Sequence, residues 1–160
     1  MQVVSEPGRG TTVKIYLPQI ATPVAASAAN EAPEVPRGQR NETVLIVEDE
    51  HDLRSYSIEC LEELGFSVLA AADGPSALRL VAAHPQISLL FTDVGLPQMN
   101  GRELAVEVRK LRPDLPVLFT TGYADDAMFQ RGRLDDNAQL LTKPFNRTQL
   151  AERVRRLLDA

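Results

Sequence analysis

A chain of 160 residues with a formal net charge of −5 and a single cysteine has room for one ordinary domain and some chain to spare. Its acidic balance argues against a nucleic-acid-binding surface, and no apolar run nears membrane-spanning length. The start, Met1-Gln2-Val3-Val4-Ser5-Glu6, lacks the basic and apolar regions of a signal peptide, so a cytoplasmic protein with no membrane contact is expected. Cys60 alone cannot form an internal disulfide or a cysteine metal cage. Beside Leu61 on an apolar helix face, it reads as a buried structural thiol.

In chain order, residues 1–18 predict a β-hairpin: Val3-Val4, a Pro7-Gly8-Arg9-Gly10 turn, then alternation from Thr12 to Leu17. A lone hairpin is marginal in water, which assigns its apolar side to an upstream domain outside this chain. Residues 19–40 are rich in Ala, Pro and polar residues without periodicity and read as a flexible linker. From residue 41 the pattern alternates regularly. Thr43–Val47 is a compact strand ending in Glu48-Asp49-Glu50. An amphipathic helix follows, with Leu53, Ser57, Cys60, Leu61 and Leu64 on one stripe and Gly65 as its stop. Phe66–Ala71 is a second strand, and Asp73-Gly74-Pro75 opens a second helix that closes before Pro85.

The stretch Ile87–Pro97 contains the third strand, a buried apolar run that ends on Asp93 and is turned by Gly95 and Pro97. Gly101 leads into a helix with Leu104, Val108 and Leu111 inward. Val117–Thr121 is a fourth strand, 125–133 a short polar helix, and Gln139–Thr142 a fifth strand. Arg147–Leu158 is a last helix with Leu150, Val154, Leu157 and Leu158 inward. Five strands alternating with helices predict an α/β fold, a (βα)5 doubly wound parallel sheet with helices on both faces.

Parallel strands deliver their carboxyl ends to one edge, where such sheets bind ligands. That edge collects Glu48 and Asp49 from the first strand, Asp93 from the third, Thr121 from the fourth and Lys143 from beyond the fifth. The carboxylates are hard oxygen ligands suited to Mg²⁺. Thr121 and Lys143 would hydrogen-bond the oxygens of a phosphoryl group, and Asp93 would be its nucleophilic acceptor. Each residue also has a plainer reading: Asp93 as a helix cap, Glu48-Asp49 as a solvated turn, Thr121 as a turn hydroxyl, Lys143 as a surface lysine. Two carboxylates about 5 Å apart repel by roughly 3 kcal/mol at an effective dielectric near 20. The convergent acids therefore call for a cation.

Four segments carry a family resemblance: Val44-Leu45-Ile46-Val47-Glu48-Asp49-Glu50, Phe91-Thr92-Asp93 through Asn100-Gly101, Leu118-Phe119-Thr120-Thr121-Gly122 and Lys143-Pro144-Phe145. In this order, over residues 41–160, they resemble the receiver domain of two-component response regulators. The resemblance implies a flavodoxin-like strand order of 2-1-3-4-5. It implies Asp93 as the phospho-acceptor from a phosphohistidine of a sensor kinase or histidine phosphotransfer protein. It further implies Mg²⁺ on Glu48, Asp49, Asp93 and the Gly95 carbonyl, Thr121 as switch hydroxyl, Lys143 as phosphate-binding lysine and a cis bond before Pro144. The segment Ser5–Pro18 is similar to the last two strands of a histidine-kinase ATP-binding domain. The whole chain is then the C-terminal piece of a hybrid histidine kinase.

The resemblance is broken at Leu140, where receivers usually carry an aromatic switch. The Phe119-Thr120-Thr121-Gly122-Tyr123 loop is similar to that of a receiver subgroup that also lacks the switch. Two other functions fit parts of the inventory. A haloacid-dehalogenase-type phosphatase needs an acid two residues after its nucleophile, and Gly95 stands there. An unphosphorylated receiver would act as a docking surface and homodimerise through its fourth and fifth helices. Tyr123, two residues past Thr121, is expected to slow loss of the phosphoryl group. Tyr123→Ala should shorten the phosphorylated lifetime, followed by intact mass after removal of the phosphodonor; an unchanged half-life rejects that role.

Overall fold

The computed structural model describes residues 2–8, 10–16, 36–38, 41–122 and 138–160. The expected helix at 125–133, Tyr123 and most of the 19–40 linker lie outside the described residues. The chain divides into two units, Met1–Ala32 and Pro33–Ala160. In the first, β1 (Gln2–Glu6) and β2 (Gly10–Lys14) pair antiparallel, with Gln2 opposite Lys14 and Glu6 opposite Gly10. Val3 faces Val13 across the pair, and both are more than half exposed.

The second unit holds β3 (Thr43–Val47), α1 (His51–Glu63), β4 (Ser67–Ala71), α2 (Gly74–Ala83), β5 (Ile87–Asp93) and α3 (Gly101–Leu111). β6 (Val117–Thr121), β7 (Ala138–Thr142) and α4 (Arg147–Leu158) complete it. Its five strands form a parallel sheet in the order β4-β3-β5-β6-β7, the expected 2-1-3-4-5 arrangement. Side-chain alternation divides each strand between two cores. Val44, Ile46, Leu89, Phe91 and Leu118 join α1 and α4 on one face. Leu45, Val47, Leu90, Val117 and Phe119 join α2 and α3 on the other. The register of β3 against β5 slips between Thr43 and Val44, so Thr43 pairs with Ile87 and Val44 with Leu89. The skipped Ser88 acts as a bulge, which is why Ile87 and Leu90 share a core. Its hydroxyl accepts the Thr43 N–H at 3.4 Å.

Three helices start on side-chain caps. Asp73 accepts the Ser76 N–H at 2.7 Å, while Asn100 with Glu103 and Asn146 with Gln149 form capping boxes. α3 departs from its expected stripe: Leu111 is 54% exposed. The helix ends there, and buried Leu115 takes the inward place instead. Arg112 is half-buried and donates to the Pro85 and Ile87 carbonyls at 3.2 and 3.0 Å. Among the described residues no helix is long and apolar enough to cross a membrane.

The amino edge of this sheet is tied twice. Arg155 of α4 grips Glu42, just before β3, through two bonds of 2.9 and 2.7 Å. The Glu42 carboxylate holds the guanidinium above its ordinary pKa. The Gly38 N–H donates to the Leu64 carbonyl at 2.8 Å, capping the end of α1. A Cβ at Gly38 would fall 2.4, 2.5 and 2.6 Å from three Phe66 ring atoms, so only glycine lies flat on that ring. Gly38→Ala should lower the melting temperature by roughly 5 °C, and adding Phe66→Leu, which clears space, should shrink that decrement. Calorimetry of the two single variants and the double variant checks this; additive losses would show that the two residues do not touch.

Candidate functional site

Four strand ends converge. β3 runs directly into Glu48 and Asp49, β5 ends on Asp93, β6 on Thr121, and β7 is followed by Lys143. One carboxylate oxygen from each of Glu48, Asp49 and Asp93 lies within 4.8 Å of the others. The Lys143 ammonium sits 2.8 Å from Glu48 Oε2 and 3.3 Å from Asp93 Oδ1. The other Glu48 oxygen, Oε1, accepts the Glu50 N–H at 3.4 Å. Buried Thr121 receives the Lys143 N–H on its carbonyl at 2.8 Å, joining the hydroxyl's strand end to the lysine's. Exposed Gly95 runs alongside the acceptor candidate: a Cβ there would lie 3.5 Å from Asp93 Oδ2. The Lys143–Pro144 peptide is cis.

Burial pushes the Glu48 carboxyl above its usual range. The Lys143 hydrogen bond opposes that shift, and the nearby Asp93 charge adds to it. With all groups ionised, three carboxylates face one ammonium, leaving two negative charges uncompensated at the cluster. An all-oxygen donor set of that charge fits a hard divalent cation.

The Asp93 backbone is held from several sides. The Thr92 hydroxyl donates to the Asp93 carbonyl at 3.1 Å, and the Val94 N–H reaches the Thr120 carbonyl at 2.9 Å. The following loop turns back sharply, with Gln98 at φ 66° and the Gly101 N–H on the Val94 carbonyl at 3.1 Å. A Cβ at Gly101 would sit 2.1 Å from the Asp93 carbonyl oxygen. In the sequence this glycine marks a helix start. Its larger effect is to let α3 begin hard against the acceptor strand.

Two further features lie beside the cluster. Phe145 packs against Phe91 (6.1 Å, edge-on) and Tyr56 (6.3 Å, tilted), and a cavity of about 410 Å³ opens between Leu53, Tyr56, Lys143, Pro144 and Phe145. Arg54 donates to the carbonyls of both acidic-pair residues. Leu140 is half-buried against the α2–α3 core, paired in register with Phe119.

The family model of the response regulator receiver domain matches residues 44–155. The chain belongs to that family. The receiver protein CpdR of Brucella abortus is 34% identical over 117 residues, covering 73% of this chain and 97% of CpdR. The sensor kinase CckA of the same organism is 34% identical over 165 residues, covering 97% of this chain and 17% of the kinase. This chain thus spans about a sixth of that relative's length. The crystal structure of the receiver domain of the hybrid histidine kinase CckA superimposes with a TM-score of 0.63 at 34% identity, covering 72% of this chain and 98% of that domain. Receivers as a family work with histidine kinases or phosphotransfer proteins and bind Mg²⁺ at an acidic pocket.

The raised carboxyl of Glu48 in this receiver has a stability consequence. The folded chain binds the Glu48 proton more tightly than the unfolded one, so this contribution is present below the ordinary carboxyl range and is lost as pH rises through the folded pKa. In EDTA, the melting temperature of Glu48→Gln relative to wild type should therefore increase between pH 4.5 and 7. Scanning calorimetry across that range decides it; a pH-independent difference would show that Glu48 ionises without cost.

Proposed function

We propose that this receiver takes a phosphoryl group onto Asp93 from the phosphohistidine of a sensor kinase or a histidine phosphotransfer protein. Glu48, Asp49, Asp93 and the Gly95 carbonyl would hold Mg²⁺. The observation that carries the reading is one ammonium shared between two acids, Lys143 Nζ at 2.8 Å from Glu48 and 3.3 Å from Asp93. A carboxylate oxygen of Asp93 attacks phosphorus, and the P–O bond forms as the P–N bond to imidazole breaks. The bonding pair returns to the ring nitrogen. An imidazole protonated on its other nitrogen then leaves as neutral histidine, and Asp93 becomes an acyl phosphate.

Lys143, already at the acceptor, turns its ammonium to a phosphoryl oxygen as charge accumulates there. The Thr121 hydroxyl donates to another. Mg²⁺ held by Glu48, Asp49, Asp93 and the Gly95 carbonyl would offset the negative charge of phosphoryl and carboxylate oxygens. Glu48, hydrogen-bonded by Lys143 before transfer, would be one of the carboxylates that hold the cation.

For the whole chain, we propose residues 1–18 as the closing hairpin of a histidine-kinase ATP-binding domain, 19–40 as linker and 41–160 as receiver, together the end of a hybrid histidine kinase. The similarity to CckA over 97% of this chain, hairpin included, supports that reading. These residues carry no ATP-binding motif, so no kinase activity is expected of them.

Acetyl phosphate with Mg²⁺ should add the mass of one phosphoryl group, read by intact-protein mass spectrometry. Asp93→Asn should add none, and Lys143→Ala should react about a hundredfold more slowly. A silent wild type would instead favour the docking receiver, whose homodimer sedimentation would detect. A mass gain in Asp93→Asn would move the acceptor elsewhere.

A further inference from the structure

The turn from β3 into α1 carries Glu48, Asp49 and Glu50 in succession, with Asp52 following in the first helical turn. Such a run repels itself, and the brace found on the other helices is missing. The cap residue Glu50 makes no side-chain bond to the helix, whereas Asp73, Asn100 and Asn146 each do. Two side chains brace the turn instead: Glu48 Oε1 accepts the Glu50 N–H at 3.4 Å, and Arg54 reaches across it. Arg54 Nη1 donates to the Glu48 carbonyl at 2.5 Å and to the Asp49 carbonyl at 3.2 Å. Its own N–H is fixed on the Glu50 carbonyl at 2.9 Å, so the guanidinium folds back from the first helical turn. Both side-chain bonds are charge-assisted. They hold the backbone of the two residues whose carboxylates meet Asp93, and they use no carboxylate oxygen.

We infer that Arg54 is a positioning residue for the acidic cluster: it locks the peptides of Glu48 and Asp49 so that their carboxylates and that of Asp93 reach one point. The inference rests on reading the cluster as a cation site. A guanidinium beside such a site acts in two opposed ways. Its charge repels the cation, while its grip on the turn preorganises the ligands, and outer partners that orient ligands typically change metal affinity 10- to 100-fold. The two effects give opposite signs when the side chain is removed, which makes the role decidable.

Mg²⁺ titration calorimetry of the full chain should show Arg54→Ala binding about tenfold more weakly than wild type, with Arg54→Lys, which keeps the charge on a single point donor, between them. Equal or tighter binding by Arg54→Ala overturns the inference. Amide exchange of the metal-free chain supplies a second readout. The Glu50 amide should exchange about tenfold faster in Arg54→Ala while those of Cys60 and Leu61, deep in α1, stay as in wild type. Faster exchange throughout α1 would make Arg54 a helix stabiliser and overturn the inference as well. If the wild-type chain binds no Mg²⁺, the cation reading of the site fails, and the exchange pattern alone decides whether Arg54 holds the turn.

Discussion

The ion contact on which this structure turns is the Lys143 ammonium lodged between Glu48 and Asp93. It joins the first strand of the receiver to its third by way of the last, and it does so where all three side chains are largely withdrawn from water. Withdrawal makes the unpaired state of any one of them expensive. One lysine cannot satisfy three carboxylates, so the edge is built with a deficit of positive charge. The fold tolerates that deficit because the sheet beneath it is closed on both faces by aliphatic cores. The result is a rim with unmet negative charge, which the proposed cation would offset.

Much of this was readable in the chain itself. The strand and helix alternation follows from apolar runs of four to seven residues punctuated by Gly, Pro and capping residues, and the sheet order matches expectation. The acids and the lysine could be placed at one edge because parallel strands leave no other option. The Leu111 reading failed because helical periodicity says nothing of where a helix stops; α3 ends at that residue, and Leu115 takes the core position. Gly101 and Arg54 were missed for a different reason. Their partners are backbone carbonyls, which have no signature in side-chain pattern. The capping boxes at Asn100 and Asn146 had a usable signal in Asn-x-x-Glu and Asn-x-x-Gln spacing.

The absence of an aromatic at Leu140 shifts attention to the opposite face of the sheet. There Phe145, two residues beyond the phosphate-binding lysine candidate, touches both Phe91 in the core and Tyr56 on α1. Tyr56 is 41% exposed, so the contact chain runs from the acceptor edge to solvent through three rings. With leucine at position 140, the chain still has an aromatic connection to its surface, on the α1 side rather than the β7 side.

The seat of Gly38 on Phe66 also sets where the polypeptide leaves this unit. Gly38 bonds Leu64 at the end of α1, next to the amino ends of β3 and β4, whereas the acids follow the carboxyl end of β3. Five strand residues separate the two poles, about 16 Å along a strand. Gly38 and the acidic rim therefore occupy opposite ends of the sheet. A disturbance at Gly38 thus meets the end of α1 before it meets the acidic rim.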